Sequence, residues 1–242
     1  GWSPGWAHHQ PKIVFDGSIW YVLETVNENS SIHSFRLYSI DTGQTPNVIL
    51  PLTYKTGAVY QGGCLVIDSS NRLHIFYIET NTLDANAGTT RTIRHYQSNA
   101  AANTLTSSEI TARGEWTLVN SWTHASIMHG YISAAYDRQT NTLFTVYNDD
   151  DADLLLARNP NQPGWEAAIT VQASSASHQG GELYRALYAH IVPMGNNAAD
   201  LMWIRAFNQS NYDQVVYRRV TNISTATMDA AIILLDRSPG QP

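Results

Sequence analysis

Four stretches of the chain repeat one order of residues: an apolar strand, a turn centred on Asp or Gly, and a second strand opening on apolar residues. They are Lys12-Ile-Val-Phe-Asp-Gly-Ser-Ile-Trp-Tyr-Val-Leu, Cys64-Leu-Val-Ile-Asp-Ser-Ser-Asn-Arg-Leu-His-Ile-Phe-Tyr-Ile, Ser133-Ala-Ala-Tyr-Asp-Arg-Gln-Thr-Asn-Thr-Leu-Phe-Thr-Val-Tyr and His190-Ile-Val-Pro-Met-Gly-Asn-Asn-Ala-Ala-Asp-Leu-Met-Trp-Ile. Their turn residues Asp16, Asp68, Asp137 and Gly195 stand 52, 69 and 58 residues apart. After each hairpin the sequence predicts a polar loop and a third strand, near 32–40, 91–97, 153–158 and 214–220. A fourth follows near 48–52, 105–111, 165–171 and 229–235. Apolar residues alternate or run in fours to sixes between turn residues, and no stretch holds a 3.6-residue period, so long helices are not expected.

A meander of four strands recurring about every 50 residues is the pattern of a propeller blade, a sheet that buries both faces against its neighbours. The expected fold is therefore an all-β propeller of four blades, one domain over 1–242 with blades near 11–52, 63–116, 131–171 and 186–236. Only 47 residues follow Gly195, enough to finish a fourth blade and too few for a fifth. The alternatives are a two-layer β-sandwich, which also yields many short strands, or a fragment of a larger propeller in which residues 1–10 are the tail of a preceding blade.

Composition narrows the partners. Fourteen Lys and Arg stand against 20 Asp and Glu, a net charge of −6, so no basic stripe exists to displace counterions from nucleic acid or an anionic membrane. No apolar run approaches the ~18 residues of a membrane-spanning helix. Charged residues make up 14% of the chain, below the roughly 25% of an average soluble domain. That profile, with the start at Gly1 and sequons at Asn29, Asn208 and Asn222, leads us to expect a secreted or extracellular protein. Cys64 is the single cysteine, so there is no intrachain disulfide, and its Gly-Gly-Cys-Leu-Val-Ile setting predicts a buried strand thiol.

The turn pattern Asp-x-x-Gly/Asn-x-Leu-His/Phe-Val/Ile of the inner hairpins resembles the BNR-type, sialidase-like repeats of propellers that act on carbohydrates. The resemblance covers about a quarter of the chain, and the full box Ser-x-Asp-x-Gly-x-Thr-Trp is absent from every repeat. It implies a carbohydrate ligand. Related families also include polysaccharide lyases, in which His, Tyr and Arg act on uronic acids.

Blade geometry sorts side chains by face: the linkers between blades and the loops joining second to third strands share one face, and the first-to-second turns lie on the other. The predicted linkers are 1–10, 53–62, 117–130 and 172–185, and they concentrate imidazoles, phenols and indoles. Sugars present apolar C–H faces to aromatic rings and hydroxyls to amides, imidazoles and guanidinium groups. Trp2, Trp6, Tyr60, Gln61, Trp122, His124, His178 and Glu182 are accordingly the candidate ligand-binding residues, and glycan binding of the lectin kind at this face is the leading expectation. The linker positions differ in chemistry from repeat to repeat, which favours one composite site over four equal ones.

The second expectation is a polysaccharide lyase. A base, His129 or His9, would remove the C5 proton of a uronate, Tyr184 would assist the leaving oxygen, and Arg185 would neutralise the carboxylate. A third is a protein-interaction propeller, marked by an apolar patch on the linker face. Asp149, Asp151 and Asp153, in the loop 148–153, are candidate Ca2+ ligands, and His8, His9, His124 and His129 offer nitrogens for zinc without a closed motif. Trp20, Trp203, Tyr77 and Tyr147, on second strands, are expected to fill the core. Serine-hydrolase, zincin, phosphate-loop and dinucleotide motifs are absent, and Glu182 is the one Glu in a predicted linker, so a glycosidase carboxylate pair is hard to place.

Overall fold

The computed structural model describes residues 12–27, 33–44, 48–80, 91–106, 108–110, 114–124, 132–148, 153–160, 164–173, 185–208 and 211–236. At 25–27, 33, 48, 55–62, 80, 91, 124, 185, 187, 206–208 and 211–213 it describes the backbone alone. The chain divides into two compact units, Gly1–Ala125 and Ser126–Pro242.

In the first unit β1 (Ile13–Phe15), β2 (Trp20–Asn27), β3 (His33–Asp41), β4 (Val48–Ile67), β5 (Leu73–Thr80), β6 (Arg91–Ser98) and β8 (Trp116–His124) follow one another as an antiparallel meander, and the two-residue β7 (Ser108–Glu109) pairs parallel with β4. The second unit holds two sheets. One runs β9 (Ile132–Asp137), β10 (Thr142–Asn148), β11 (Leu154–Pro160), β12 (Ile169–Gln172); the other holds β13 (Arg185–Pro193), β14 (Ala199–Asn208) and β15 (Asn211–Asn222), on which both β16 (Thr227–Met228) and β17 (Ile232–Asp236) pair. The four predicted hairpins are present as β1–β2, β4–β5, β9–β10 and β13–β14.

Their turns form for the reason the sequence suggests. A carboxylate can accept the N–H groups that a tight turn leaves without strand partners. Asp16 Oδ1 accepts the N–H groups of Ser18 and Ile19, each at 2.8 Å, and Asp68 Oδ1 accepts those of Ser70 and Arg72 at the same distance. Asp137 accepts from the N–H of Gln139 at 2.9 Å and the hydroxyl of Thr140 at 2.7 Å. The fourth turn has no Asp and relies on Gly195, whose φ of +107° is open to glycine.

Two predicted boundaries move. Residues 53–62, read as a linker, continue β4 as one strand of 20 residues: its first part pairs with β3, its last part with β5, and the register slips between Tyr60 and Gly63. Thr53 and Tyr54 stay extended because β7 covers them, the Thr53 hydroxyl donating to Ser108 O at 2.6 Å. The strand expected at 105–111 is reduced to β7, and the outer strand on β6 is β8. Trp122 and His124 therefore lie on a strand and not in a linker.

The core of the first unit joins Tyr21, Leu23, Phe35 and Leu37 to Leu65, Ile75 and Tyr77. Gly63 permits this contact: a Cβ there would lie 2.5 Å from the carbonyl oxygen of Phe76 and 3.3 Å from Tyr77 Cβ. Cys64 is fully buried, as expected, and Lys12 Nζ donates to Gly63 O at 3.0 Å. Burial pulls that ammonium down to about 8, against the electrostatic influence of Cys64. In the second unit Phe144, Val146, Leu156 and Val171 pack on Ile191, Leu201, Trp203 and Val216. Trp203, Tyr77 and Tyr147 fill the core as expected. Trp20 does not: it is 40% exposed and stacks on Phe15 at 4.6 Å, because the register Phe15–Trp20–Ile40–Ile49 places it on the outward face of β1–β4. This apolar ladder runs beside the Asp16 turn, away from the linker ends of the strands.

Candidate functional site

Each hairpin has a turn end, at Asp16, Asp68, Asp137 or Gly195, and a linker end, where the second strand passes into the third. At the turn ends Asp16, Asp68 and Asp137 are engaged by backbone N–H groups, while Asp200 pairs with Arg219 and Glu166 with Arg158. Burial opposes the charge of Asp16, yet bonds from Ile19, Ser18 and the Tyr21 hydroxyl outweigh it and hold the carboxyl below its usual range.

A buried relay lies behind the Asp68 turn: Asp68 Oδ2 is 3.4 Å from His74 Nε2, and His74 Nδ1 is 2.9 Å from His95 Nε2. His95 stacks on Phe76 with centroids 4.2 Å apart. The order of groups is that of a catalytic triad, but all are 0–3% exposed, so the relay belongs to the frame. Burial, assisted by His74, drives His95 well below the ordinary histidine range and keeps it neutral.

From the linker end of the first unit inward, the registers Glu79–Thr92, Tyr77–Arg94 and Ile75–Tyr96 set Glu79, Tyr77, Arg94 and Tyr96 on one face of β5 and β6. Arg94 Nε donates to Glu79 Oε2 at 2.9 Å and Nη2 approaches the same oxygen at 2.8 Å; the two side chains are 28% and 26% exposed. The Tyr77 and Tyr96 rings lie nearly parallel at 6.1 Å, with Phe35 behind Tyr77 at 5.3 Å. Tyr77 is fully buried, and its hydroxyl makes no well-formed hydrogen bond, although the Tyr96 hydroxyl lies close enough to influence it. Burial raises both phenols above their ordinary value, so both remain O–H donors at neutral pH. Trp122 is half-buried opposite Ile93 on β8.

The linker end of the second unit carries a chain of amides. Arg205 Nη1 donates to Gln214 Oε1 at 3.0 Å and Nη2 to Gln172 Oε1 at 2.7 Å, while Gln214 Nε2 donates to Asp236 Oδ2 at 3.1 Å. Asn148 Nδ2 donates to Ala186 O at 2.7 Å and to Asp153 O at 3.3 Å, joining β10 to the start of β13.

Of the predicted site residues, Trp2, Trp6, His8, His9, His129, His178, Glu182, Tyr184, Asp149 and Asp151 lie outside the described residues. Tyr60, Gln61, His124 and Arg185 are placed by backbone alone, on β4, β8 and β13. Trp122 and Asp153 are the two whose side chains are described. Among the described residues no three His, Cys, Asp or Glu side chains form a group that could hold a metal ion. Glu79, Arg94, Tyr96, Gln172, Arg205 and Gln214 were not selected from sequence. The signal that could have found most of them is position: Glu79, Gln172, Arg205 and Gln214 lie toward the linker ends of their strands, whereas Arg94 and Tyr96 lie farther along β6.

No family model matches the chain, and no curated protein does. Solved structures do. An exo-β-1,3-galactanase from Phanerochaete chrysosporium, in complex with β-1,3-galactotriose, is 13% identical with a TM-score of 0.53, over 95% of this chain and 50% of that one. The Aleuria aurantia lectin in complex with Fucα1-6GlcNAc, a six-bladed β-propeller, is 12% identical with a TM-score of 0.51, over 98% of this chain and 66% of the lectin. A Bacillus subtilis arabinanase is 12% identical at a TM-score of 0.51, over 92% and 75%. The chain thus spans half the length of the galactanase and 66% of the lectin. The likeness is one of fold, and the fold is of the β-propeller kind.

Proposed function

We propose that the chain is a secreted, carbohydrate-recognising β-propeller built from four blades of the sialidase-like repeat type, and that it binds glycan at the linker ends of its sheets. The observation that carries this reading is the pair of linker-end networks. They join guanidinium, amide and carboxylate side chains, and in the first unit the half-buried ring of Tyr96 shares a strand face with the Glu79–Arg94 pair. A sugar hydroxyl donates one hydrogen bond and accepts others, so it can enter such a network by replacing water without leaving a buried group unpaired. The fold supports the reading, since two similar structures are complexes with a galactotriose and a fucosyl-GlcNAc.

Binding rather than turnover is the preferred form, because the described carboxylates at these ends are held in pairs and networks. The lyase alternative rests on His9, His129, Tyr184 and Arg185. Trp122→Ala and Arg205→Lys are expected to weaken retention on the bound polysaccharide in affinity electrophoresis by about tenfold each, the size of a truncated interface anchor. Unchanged mobility in both variants would contradict the placement.

A further inference from the structure

We propose that the corner formed by Glu79, Arg94, Tyr96 and Tyr77 is a subsite for a neutral sugar bearing two adjacent hydroxyls, and that it turns uronates away. The inference rests on the reading of the linker end as carbohydrate-binding and adds the class of sugar.

The charges decide the class. Arg94 is compensated by Glu79, with both of its bonds directed to one carboxylate oxygen, so the pair offers no net positive charge to an anion. An incoming carboxylate would meet Glu79 as a like charge a few ångströms away, in a site only about a quarter open to water. A diol fits the pair without that cost: one hydroxyl accepts from an Arg94 N–H not directed at Glu79, and the neighbouring hydroxyl donates to the carboxylate.

The inner wall points the same way. The Tyr77 hydroxyl is fully buried without a hydrogen-bond partner, whereas most buried polar groups in folded proteins find one. It stands beside Tyr96, whose half-buried ring lies parallel to that of Tyr77 and offers a face to sugar C–H groups. A hydroxyl reaching inward past Tyr96 would satisfy Tyr77, and so would a water molecule that the sugar displaces.

The test is a binding series on the full chain with β-1,3-galactan, arabinan and a fucosylated N-glycan as neutral probes and polygalacturonate as the acidic probe. The wild type is expected to bind at least one neutral probe at least tenfold more tightly than polygalacturonate. Glu79→Gln should weaken the neutral probe severalfold and raise polygalacturonate binding, because Arg94 then faces the acid uncompensated. Tyr77→Phe should melt no lower than the wild type, having lost an unpaired hydroxyl, yet bind the neutral probe severalfold less tightly. If Glu79→Gln and Tyr77→Phe change neither probe while Trp122→Ala abolishes neutral binding, the subsite is wrong and the glycan reading stands. Preference of the wild type for polygalacturonate would also overturn the subsite alone. Binding to none of the four probes would overturn both.

Discussion

Asp68→Ala is expected to lower the unfolding free energy by about 3–5 kcal/mol, whereas Asp16→Ala, at the equivalent turn, should cost about 1 kcal/mol. Two backbone N–H bonds are lost in each case, from Ser70 and Arg72 or from Ser18 and Ile19, and Asp16→Ala also gives up the bond from the Tyr21 hydroxyl. The difference is water. Asp68 is 3% exposed and also faces His74, so its removal opens a hole in the interior and deprives His74 of the group opposite its Nε2. Asp16, by contrast, is only half-buried, and water can take its place beside Ser18 and Ile19. Urea unfolding of the two variants reads the difference directly, and equal losses would show that the relay behind Asp68 contributes nothing.

The second large effect concerns the second unit. Arg158, 7% exposed, donates from Nε and Nη2 to the two oxygens of Glu166 at 2.6 and 3.1 Å, from Nη2 to Ser224 Oγ at 2.6 Å, and from Nη1 to the carbonyl of Asn196. It thereby ties β11 to the Gly195 turn and to the turn between β15 and β16. The two partners are unequally buried, since the Glu166 side chain is 39% exposed. Removing Glu166 leaves a guanidinium in the interior without its counter-charge, and Glu166→Ala is expected to cost about 3 kcal/mol. Arg158→Met keeps most of the side-chain volume and frees a carboxylate that water can solvate, at a cost of about 1–2 kcal/mol from the lost bonds to Asn196 and Ser224. Denaturant melts that rank the two in the opposite order would contradict this account of the clamp.

What could be read from the sequence was what is decided locally. An Asp followed by polar residues and flanked by alternating apolar residues specifies a hairpin by itself, and all three Asp hairpins and the Gly195 hairpin stand where the repeat puts them. What depends on a distant partner was not legible. Residues 53–62 carry the polar residues of a loop and are extended because β3 and β5 pair along them and Ser108 and Glu109 return to pair with Thr53 and Tyr54. Trp20 alternates as a core residue should, yet its register assigns it to the outward face. The site followed the same division. Loop residues were chosen by chemical type, and most lie outside the described residues; Glu79 and Arg94 look in sequence like an ordinary cross-strand ion pair. Their interest comes from what the fold sets beside them, a buried phenol without a partner and a half-open tyrosine ring.

The central claim is that this chain holds carbohydrate without cleaving it. The most direct measurement is incubation of the wild type with neutral and uronate-containing polysaccharides, following polymer size, ultraviolet absorbance of unsaturated products and comigration of protein together. The account predicts retained polymer size, no new absorbance, and protein comigrating with a neutral polymer. Shortened chains with rising absorbance would contradict it in favour of a lyase, and protein that comigrates with no polymer would contradict carbohydrate recognition itself.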